Sequence, residues 1–144
     1  MKYELEININ KPREEVIRLF DNPDNMSKWQ KGLISFEHIS GEAGQKGAKS
    51  RLLYDMNGRK TEMIETITNR NLPEEFSGTY EAKGVFNIQE NYFYVIDDKT
   101  TKWKTVSEFR FKGFMKIIAF LFGSSFKKTS YKFMVDFKNF AESQ

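Results

Sequence analysis

Glu90 is the residue whose type and position most suggest chemistry, because it interrupts an apolar strand pattern. It falls in one alternating set with Phe86, Ile88, Tyr92 and Tyr94. A carboxylate on an apolar sheet face is costly to bury and its pKa tends to rise, as in many general acids and bases. Glu90 is therefore a candidate general base. The alternative is a position at a bulge or a sheet edge, hydrogen-bonded to Ser107 or to water.

Glu65 raises the same question through a weaker pattern. It lies between Met63 and Ile67, whereas Ile64 favours the opposite face. A second candidate base and a structural or solvent-exposed carboxylate both remain open.

Four tyrosines are the candidate proton donors and ligand contacts. A tyrosine can pack its ring while it offers a hydroxyl, a combination common in pockets with few polar groups. The four are Tyr54, Tyr80, Tyr92 and Tyr94. Ordinary core packing is the alternative for each.

The cysteine and histidine content restricts the other kinds of site. There is no cysteine, and His38 is the single histidine. Thiolate catalysis and disulfides are excluded, and metal sites that recruit several imidazoles are disfavoured. We therefore expect no cofactor and no metal, with His38 an incidental strand residue. The absence of cysteine also fits a reducing, cytoplasmic location.

Charge and hydropathy limit the partners. The 144 residues carry 23 basic and 20 acidic side chains, which alternate rather than gather in one block. We therefore expect no nucleic-acid partner, and we interpret Lys127-Lys128 as a solvated face. The longest apolar run, Phe114 to Phe122, is shorter than the ~20 residues that cross a bilayer.

The elements that position these residues follow from periodicity. The first strand covers Lys2 to Ile9, where apolar and polar residues alternate, and Pro12 opens a short helix. A second short helix from Pro23 to Lys28 leads to Trp29. Six strands follow, at 33–40, 47–56, 59–69, 74–82, 84–96 and 101–111, with turn residues such as Asn57-Gly58 between them.

The last strand shows two clear faces. Its apolar set comprises Trp103, Thr105, Ser107, Phe109 and Phe111, and the opposite set comprises Lys102, Lys104, Glu108 and Arg110. We expect the first set to point inward, together with the set in the preceding strand that contains Glu90.

A long C-terminal helix from about Phe114 to Ala141 closes the chain. Its phenylalanines are interpreted as a core seam, with Phe122 and Phe126 bordering any cavity and Gly123-Ser124-Ser125 marking a kink. The run Phe114 to Phe122 is apolar around more of the helix than one sheet can cover. A loop over a ligand opening, a homodimer partner or a transient membrane contact would have to shelter it.

This order of elements resembles the helix-grip fold of the SRPBCC superfamily, the START and polyketide cyclase/dehydrase-like group. The likeness is to small bacterial members and covers the whole chain. It rests on the segments Asn22 to Trp29, Gly41 to Ala48, Gly84 to Asn87, and Glu108 to Phe111. The resemblance implies an α+β domain over 1–144, in which a curved antiparallel sheet of about seven strands wraps around a long C-terminal helix. It also implies a hydrophobic cavity between sheet and helix, and it transfers no catalytic residue.

The leading hypothesis is therefore a binder or carrier of a small hydrophobic ligand, such as a lipid, polyketide or isoprenoid. The expected lining is Tyr54, Met63, Tyr80, Phe86, Ile88, Glu90, Tyr92, Trp103, Thr105, Ser107, Phe109, Phe122 and Phe126. A cyclase or dehydrase that uses Glu90 or Glu65 as base is the alternative. A protein-interaction module is the third reading, supported locally by the apolar start of the last helix.

Overall fold

The computed structural model describes residues 1–144, and its elements follow the predicted order. The strands are β1 Lys2–Ile9, β2 Leu33–Ser40, β3 Lys49–Met56, β4 Arg59–Asn71, β5 Glu75–Ala82, β6 Val85–Asp97 and β7 Thr100–Phe111. The helices are α1 Arg13–Phe20, a 3-10 turn at Pro23–Asn25, α2 Met26–Trp29 and α3 Phe114–Glu142. The predicted seven-stranded α+β architecture with a long C-terminal helix is confirmed.

All seven strands form one antiparallel sheet in the order β1-β7-β6-β5-β4-β3-β2. Consecutive strands from β2 to β7 are neighbours, as short hairpin connections require, and β1 pairs with β7 across the length of the chain. The register shifts in β4 between Ile67 and Asn69. Gly78 lies opposite Ile67, and a Cβ there would stand 2.9 Å from the carbonyl oxygen of Thr66. The sheet bends at this point because glycine allows the two backbones to approach.

The hydrophobic core lies at one end of the inner sheet face, where α1, α2 and the second half of α3 meet β1, β6 and β7. We call it the aromatic end; its buried members are Ile9, Val16, Leu19, Trp29, Phe93, Trp103, Met134, Phe137 and Ala141. The ring of Phe20 lies 5.1 Å from Phe93 and 5.6 Å from Phe137, both in edge-to-face contact. The chain contains 14 Phe, 6 Tyr and 2 Trp, and this interlocking of rings provides much of the burial at the aromatic end.

The long helix α3 is interrupted rather than continuous. Phe122 has non-helical backbone angles, φ −126° and ψ 23°, next to the Gly123-Ser124-Ser125 segment that the sequence marks as a kink. The second half is fixed at its end, where the Glu142 carboxylate accepts a hydrogen bond from the backbone nitrogen of Asn10 at 2.8 Å. The first half begins after Gly113 and lies beside the turn that joins β5 to β6. A Cβ on Gly84 in that turn would stand 2.8 Å from Cγ of Met115, so glycine permits the close approach.

Candidate functional site

Glu65 belongs to a cross-strand row on the inner face of the sheet. Direct register partners place Phe109 beside Asn87, Asn87 beside Tyr80, Tyr80 beside Glu65, and Glu65 beside Ser50. Phe109 contacts Phe126 of α3 with ring centroids 5.2 Å apart, which shows that this face is the one turned toward the helix. We call these five residues the Glu65 row. Of the two candidate carboxylates, Glu65 is the one that points inward.

The Glu65 carboxylate has one oxygen held and one oxygen free. The hydroxyl of Tyr80 donates to Oε2 at 2.8 Å, whereas Oε1 has no hydrogen-bond partner in the protein. Every side-chain nitrogen or oxygen that is fully shielded in this structure does have a partner. Although the residue is only 8% exposed, Oε1 therefore borders space that a water molecule can enter.

Burial sets the protonation behaviour of this carboxyl group. Desolvation raises the pKa of Glu65, and the hydrogen bond from Tyr80 opposes that shift in part. Tyr80 lies deep in the fold while part of its side chain stays accessible, and burial together with the Glu65 charge raises its pKa well above 10. The pair thus combines a carboxyl of elevated pKa with a firmly protonated phenol.

Tyr54 continues the polar lining toward the far side of the sheet. Its hydroxyl donates to Oε1 of Gln30 at 2.6 Å, which ties β3 to the end of α2. Burial raises the pKa of Tyr54, and the negative charge of Glu65 adds to the effect. Met63, on the same face of β4 as Glu65, is half-buried and adds apolar surface between the two polar groups.

Strand β6 turns its amide side chains inward, so the predicted orientation of this strand is wrong. Asn91 accepts a hydrogen bond from Nε1 of Trp103 at 3.0 Å, and Gln89 accepts one from the hydroxyl of Ser107. Phe86, Ile88, Glu90, Tyr92 and Tyr94 consequently lie on the outer face. There the hydroxyl of Tyr92 donates to Glu90 at 3.1 Å. Glu90 is therefore removed as an interior base.

The orientation of β6 was mispredicted because its outer face carries apolar side chains, which pack against neighbours on that face. The guanidinium carbon of Arg110 lies 5.9 Å from the centre of the Phe86 ring, and Tyr92 and Tyr94 stack with centroids 6.5 Å apart. The strand pairing could have predicted that the amide side chains of β6 point inward. Phe93 lies directly opposite Trp103, and a facing assigned to β7 fixes the facing of β6 through the hairpin.

The remaining predicted lining residues separate into three environments. Trp103, Thr105 and Ser107 do point inward but are fully enclosed by protein, with Thr105 donating to the sulfur of Met134 at 3.7 Å. Phe109, itself a member of the Glu65 row, and Phe126, which packs against it, are half-buried. Phe122 is mostly exposed at the helix break. Tyr54, Met63 and Tyr80 thus lie on the strands near Glu65, whereas Phe109 and Phe126 lie at the β7 end of the row.

Two surface clefts lie away from this region. One of about 290 Å³ is bounded by residues 23–27 and 33–36, and one of about 620 Å³ lies between the edge of β1 and the second half of α3. Neither is lined by Glu65, Tyr80 or Tyr54. No three His, Asp or Glu side chains converge as metal ligands would. None of the helices has the length and apolar character required to cross a lipid bilayer.

Comparison with known proteins agrees with the resemblance drawn from the sequence. Residues 1–133 match the model of a family described as "Polyketide cyclase / dehydrase and lipid transport". No curated protein matches the chain by sequence.

Three solved structures illustrate the similarity of fold. The Zhui aromatase/cyclase from Streptomyces sp. R1128 superposes with a TM-score of 0.83 at 11% identity, over 99% of this chain and 93% of that one. A conserved protein from Geobacillus kaustophilus gives 0.79 at 18% identity, over 99% and 96%. Norcoclaurine synthase from Thalictrum flavum, in complex with dopamine and hydroxybenzaldehyde, gives 0.73 at 12% identity, over 100% and 87%. At these identities the likeness establishes the fold alone.

Proposed function

As a member of the polyketide cyclase / dehydrase and lipid transport family, the chain has a fold suited to ligand binding, and we propose that it binds a small, mostly apolar molecule carrying one hydroxyl group beside Glu65. The observation that carries this proposal is the free Oε1 of Glu65, which borders accessible space on the inner sheet face. A bound hydroxyl would give that oxygen the hydrogen bond it lacks within the protein.

The surroundings of Glu65 support a ligand that is otherwise apolar. Met63 lies on the same face of β4 as Glu65, and Phe109 with Phe126 forms the apolar end of the Glu65 row; all three are half-buried. The polar groups of Tyr54, Asn91 and Ser107 are already paired inside the protein. A site with apolar walls and an unpaired carboxylate oxygen favours a ligand of matching shape that carries a hydroxyl group. Lipids, polyketides and isoprenoids with a free hydroxyl fit this description.

The test compares Glu65→Gln with Glu90→Gln as a matched control on the outer face. Binding of a hydroxylated apolar fluorophore such as 1-naphthol, and of its methyl ether, is measured by fluorescence titration. We expect the wild type and Glu90→Gln to prefer the naphthol. Glu65→Gln should lose about tenfold in naphthol affinity, with little change for the ether, since a hydrogen bond to a charged acceptor contributes about 1.5–3 kcal/mol. Equal naphthol binding by all three proteins would refute the role of Glu65, and absence of binding by the wild type would refute the proposed ligand class.

An enzymatic role is the second candidate, favoured by the elevated pKa of Glu65 next to the protonated Tyr80. In this reading Glu65 removes a proton from the bound molecule, Tyr80 gives its proton to the developing oxyanion, and the proton on Glu65 then passes back to Tyr80 through their hydrogen bond, which restores both groups. Turnover of polyketide-like substrates at saturating concentration distinguishes the two. A binder gives no product with any variant, whereas an enzyme loses product formation in Glu65→Gln and keeps it in Glu90→Gln.

A further inference from the structure

The first half of α3 presents an exposed apolar patch. It comprises Phe114, Ile117, Phe120, Leu121 and Phe122, all more than half exposed, with Phe114 at 71% and Phe120 at 89%. Aromatic and aliphatic side chains of this size are rarely left in water as a contiguous group unless another surface receives them. The shelter expected from the sequence is thus not provided by the protein's own loops.

Unpaired lysines lie on the chain segments next to this apolar patch. They are Lys83, Lys112, Lys116, Lys127 and Lys128, all exposed and none in an ion pair. Four lysines outside this region do form ion pairs, among them Lys102 with Glu6 and Lys132 with Asp136, whereas others such as Lys31, Lys46 and Lys60 are also unpaired. Residues 109–135 contain no acidic side chain. The segment that contains the apolar patch and the helix lysines therefore carries positive charges only.

The fold brings Lys83 to the same place as the helix lysines. The backbone nitrogen of Lys112 donates to the carbonyl of Gly84 at 2.9 Å, and Met115 lies against that glycine. The β5–β6 turn and the start of α3 consequently form one continuous surface. Its apolar centre has a basic border contributed by two separate segments of the chain.

We propose that this surface docks onto an anionic lipid membrane. Exposed aromatic and leucine side chains enter the interface between headgroups and acyl chains, while lysines at the border are attracted to anionic lipids, and the two signals together give stable, reversible binding. A second copy of the chain is a poor occupant because an isologous contact would bring the five lysines of each copy together. The proposal is independent of the ligand beside Glu65.

Vesicle co-sedimentation tests this surface directly. Wild-type protein is mixed with vesicles of phosphatidylcholine alone or of phosphatidylcholine with phosphatidylglycerol, at low and high salt. We expect binding to the anionic vesicles and its loss at high salt, because the lysine contribution is screened. Phe120→Ser should reduce partitioning about tenfold. Lys127→Glu with Lys128→Glu should reduce it by more than about tenfold, at roughly fivefold for each lysine attraction lost.

Matched controls lie at the opposite end of the β6–β7 hairpin. Val95 and Ile96 are also exposed apolar residues, so Val95→Ser with Ile96→Ser removes similar surface outside the patch and should leave partitioning unchanged. Thermal melts confirm that each variant is folded. Equal partitioning of the wild type to neutral and anionic vesicles would overturn the proposal. So would a wild-type dimer that Phe120→Ser dissociates, or specific retention by an acidic protein without any vesicle binding.

Discussion

The aromatic end and the Glu65 row lie on the same sheet face but differ in how closely they are packed and in how polar they are. At the aromatic end, Phe137 and Phe93 are almost entirely shielded, and the rings of Phe137 and Trp103 meet edge to face at 5.4 Å. Along the Glu65 row, the carboxylate of Glu65 is buried, the phenol of Tyr80 and the amide of Asn87 are half-buried, and one carboxylate oxygen is left without a partner. Strands β6 and β7 run through both regions.

This difference indicates that the packing that stabilises the fold and the proposed binding region are spatially separated along the same strands. The aromatic end concentrates burial where α1, α2 and α3 converge, so the fold does not depend on filling the space beside Glu65. Burying the carboxyl group of Glu65 lowers the free energy of unfolding, and the packing of the rest of the domain compensates for this loss, as is common at functional sites.

The largest expected effect comes from truncating the aromatic end. Phe137→Ala should lower the free energy of unfolding by about 3–5 kcal/mol, because the closed packing leaves a cavity that cannot collapse. Phe126→Ala should cost clearly less, because Phe126 is only half-buried and its surroundings are already partly open. Urea denaturation measures both. Equal losses would show that the two regions are packed alike and would remove the contrast.

A smaller effect is expected from the Tyr80 hydroxyl. Tyr80→Phe removes the single donor to Glu65 and should lower the free energy of unfolding by about 1–3 kcal/mol at neutral pH. Tyr92→Phe is the matched control, since its hydroxyl donates to Glu90 on the outer face, and it should change stability by less than about 0.5 kcal/mol. A Tyr92→Phe loss as large as that of Tyr80→Phe would show that the inner hydrogen bond has no special importance.

The smallest effect is a pH dependence that sharpens the contrast. Burial raises the pKa of Glu65 above its ordinary value of 4.5. At a pH between 4.5 and the pKa in the folded state, the folded protein therefore keeps a proton that the unfolded chain releases. Stability therefore falls as pH rises from about 4.5 through the folded pKa. Glu65→Gln lacks this titration, and its Tm should rise relative to the wild type over that interval and then level off.

Glu90→Gln on the outer face again serves as the comparison, and thermal melts across pH give the measurement. A Tm difference between Glu65→Gln and the wild type that stays constant with pH would show that Glu65 titrates as it does in the unfolded chain.

The sequence was most informative where one face of an element is strongly apolar and the other charged. Strand β7 is such a case, because Lys102 and Lys104 leave no doubt about which side meets water, and its predicted facing is correct. The turns were equally well determined, since Asn57-Gly58 adopts the positive φ angles that its hairpin requires. The break of α3 at Phe122 lies one residue before the predicted glycine.

Strand β6 shows where sequence reasoning fails. Its outward set is more apolar than its inward set, because the inward positions Asn87, Gln89 and Asn91 satisfy one another and their neighbours across the sheet. Hydrophobic alternation cannot detect a polar face that is internally paired. Glu65 was ambiguous for a related reason, since Ile64 competes with it for the inner face, and the pairing with Tyr80 resolves its direction.

Because the helix is interrupted at Phe122, the helical conformation of residues 114–122 depends on the surface against which this segment lies. A helix of that length is below the ~12–15 residues at which isolated helices become even marginally stable in water, and the interrupted backbone deprives it of cooperative support from residues further on. Its order must instead come from whatever it lies against. The amount of helix in this segment is therefore a variable that the environment can set, while the anchored remainder of α3 stays folded.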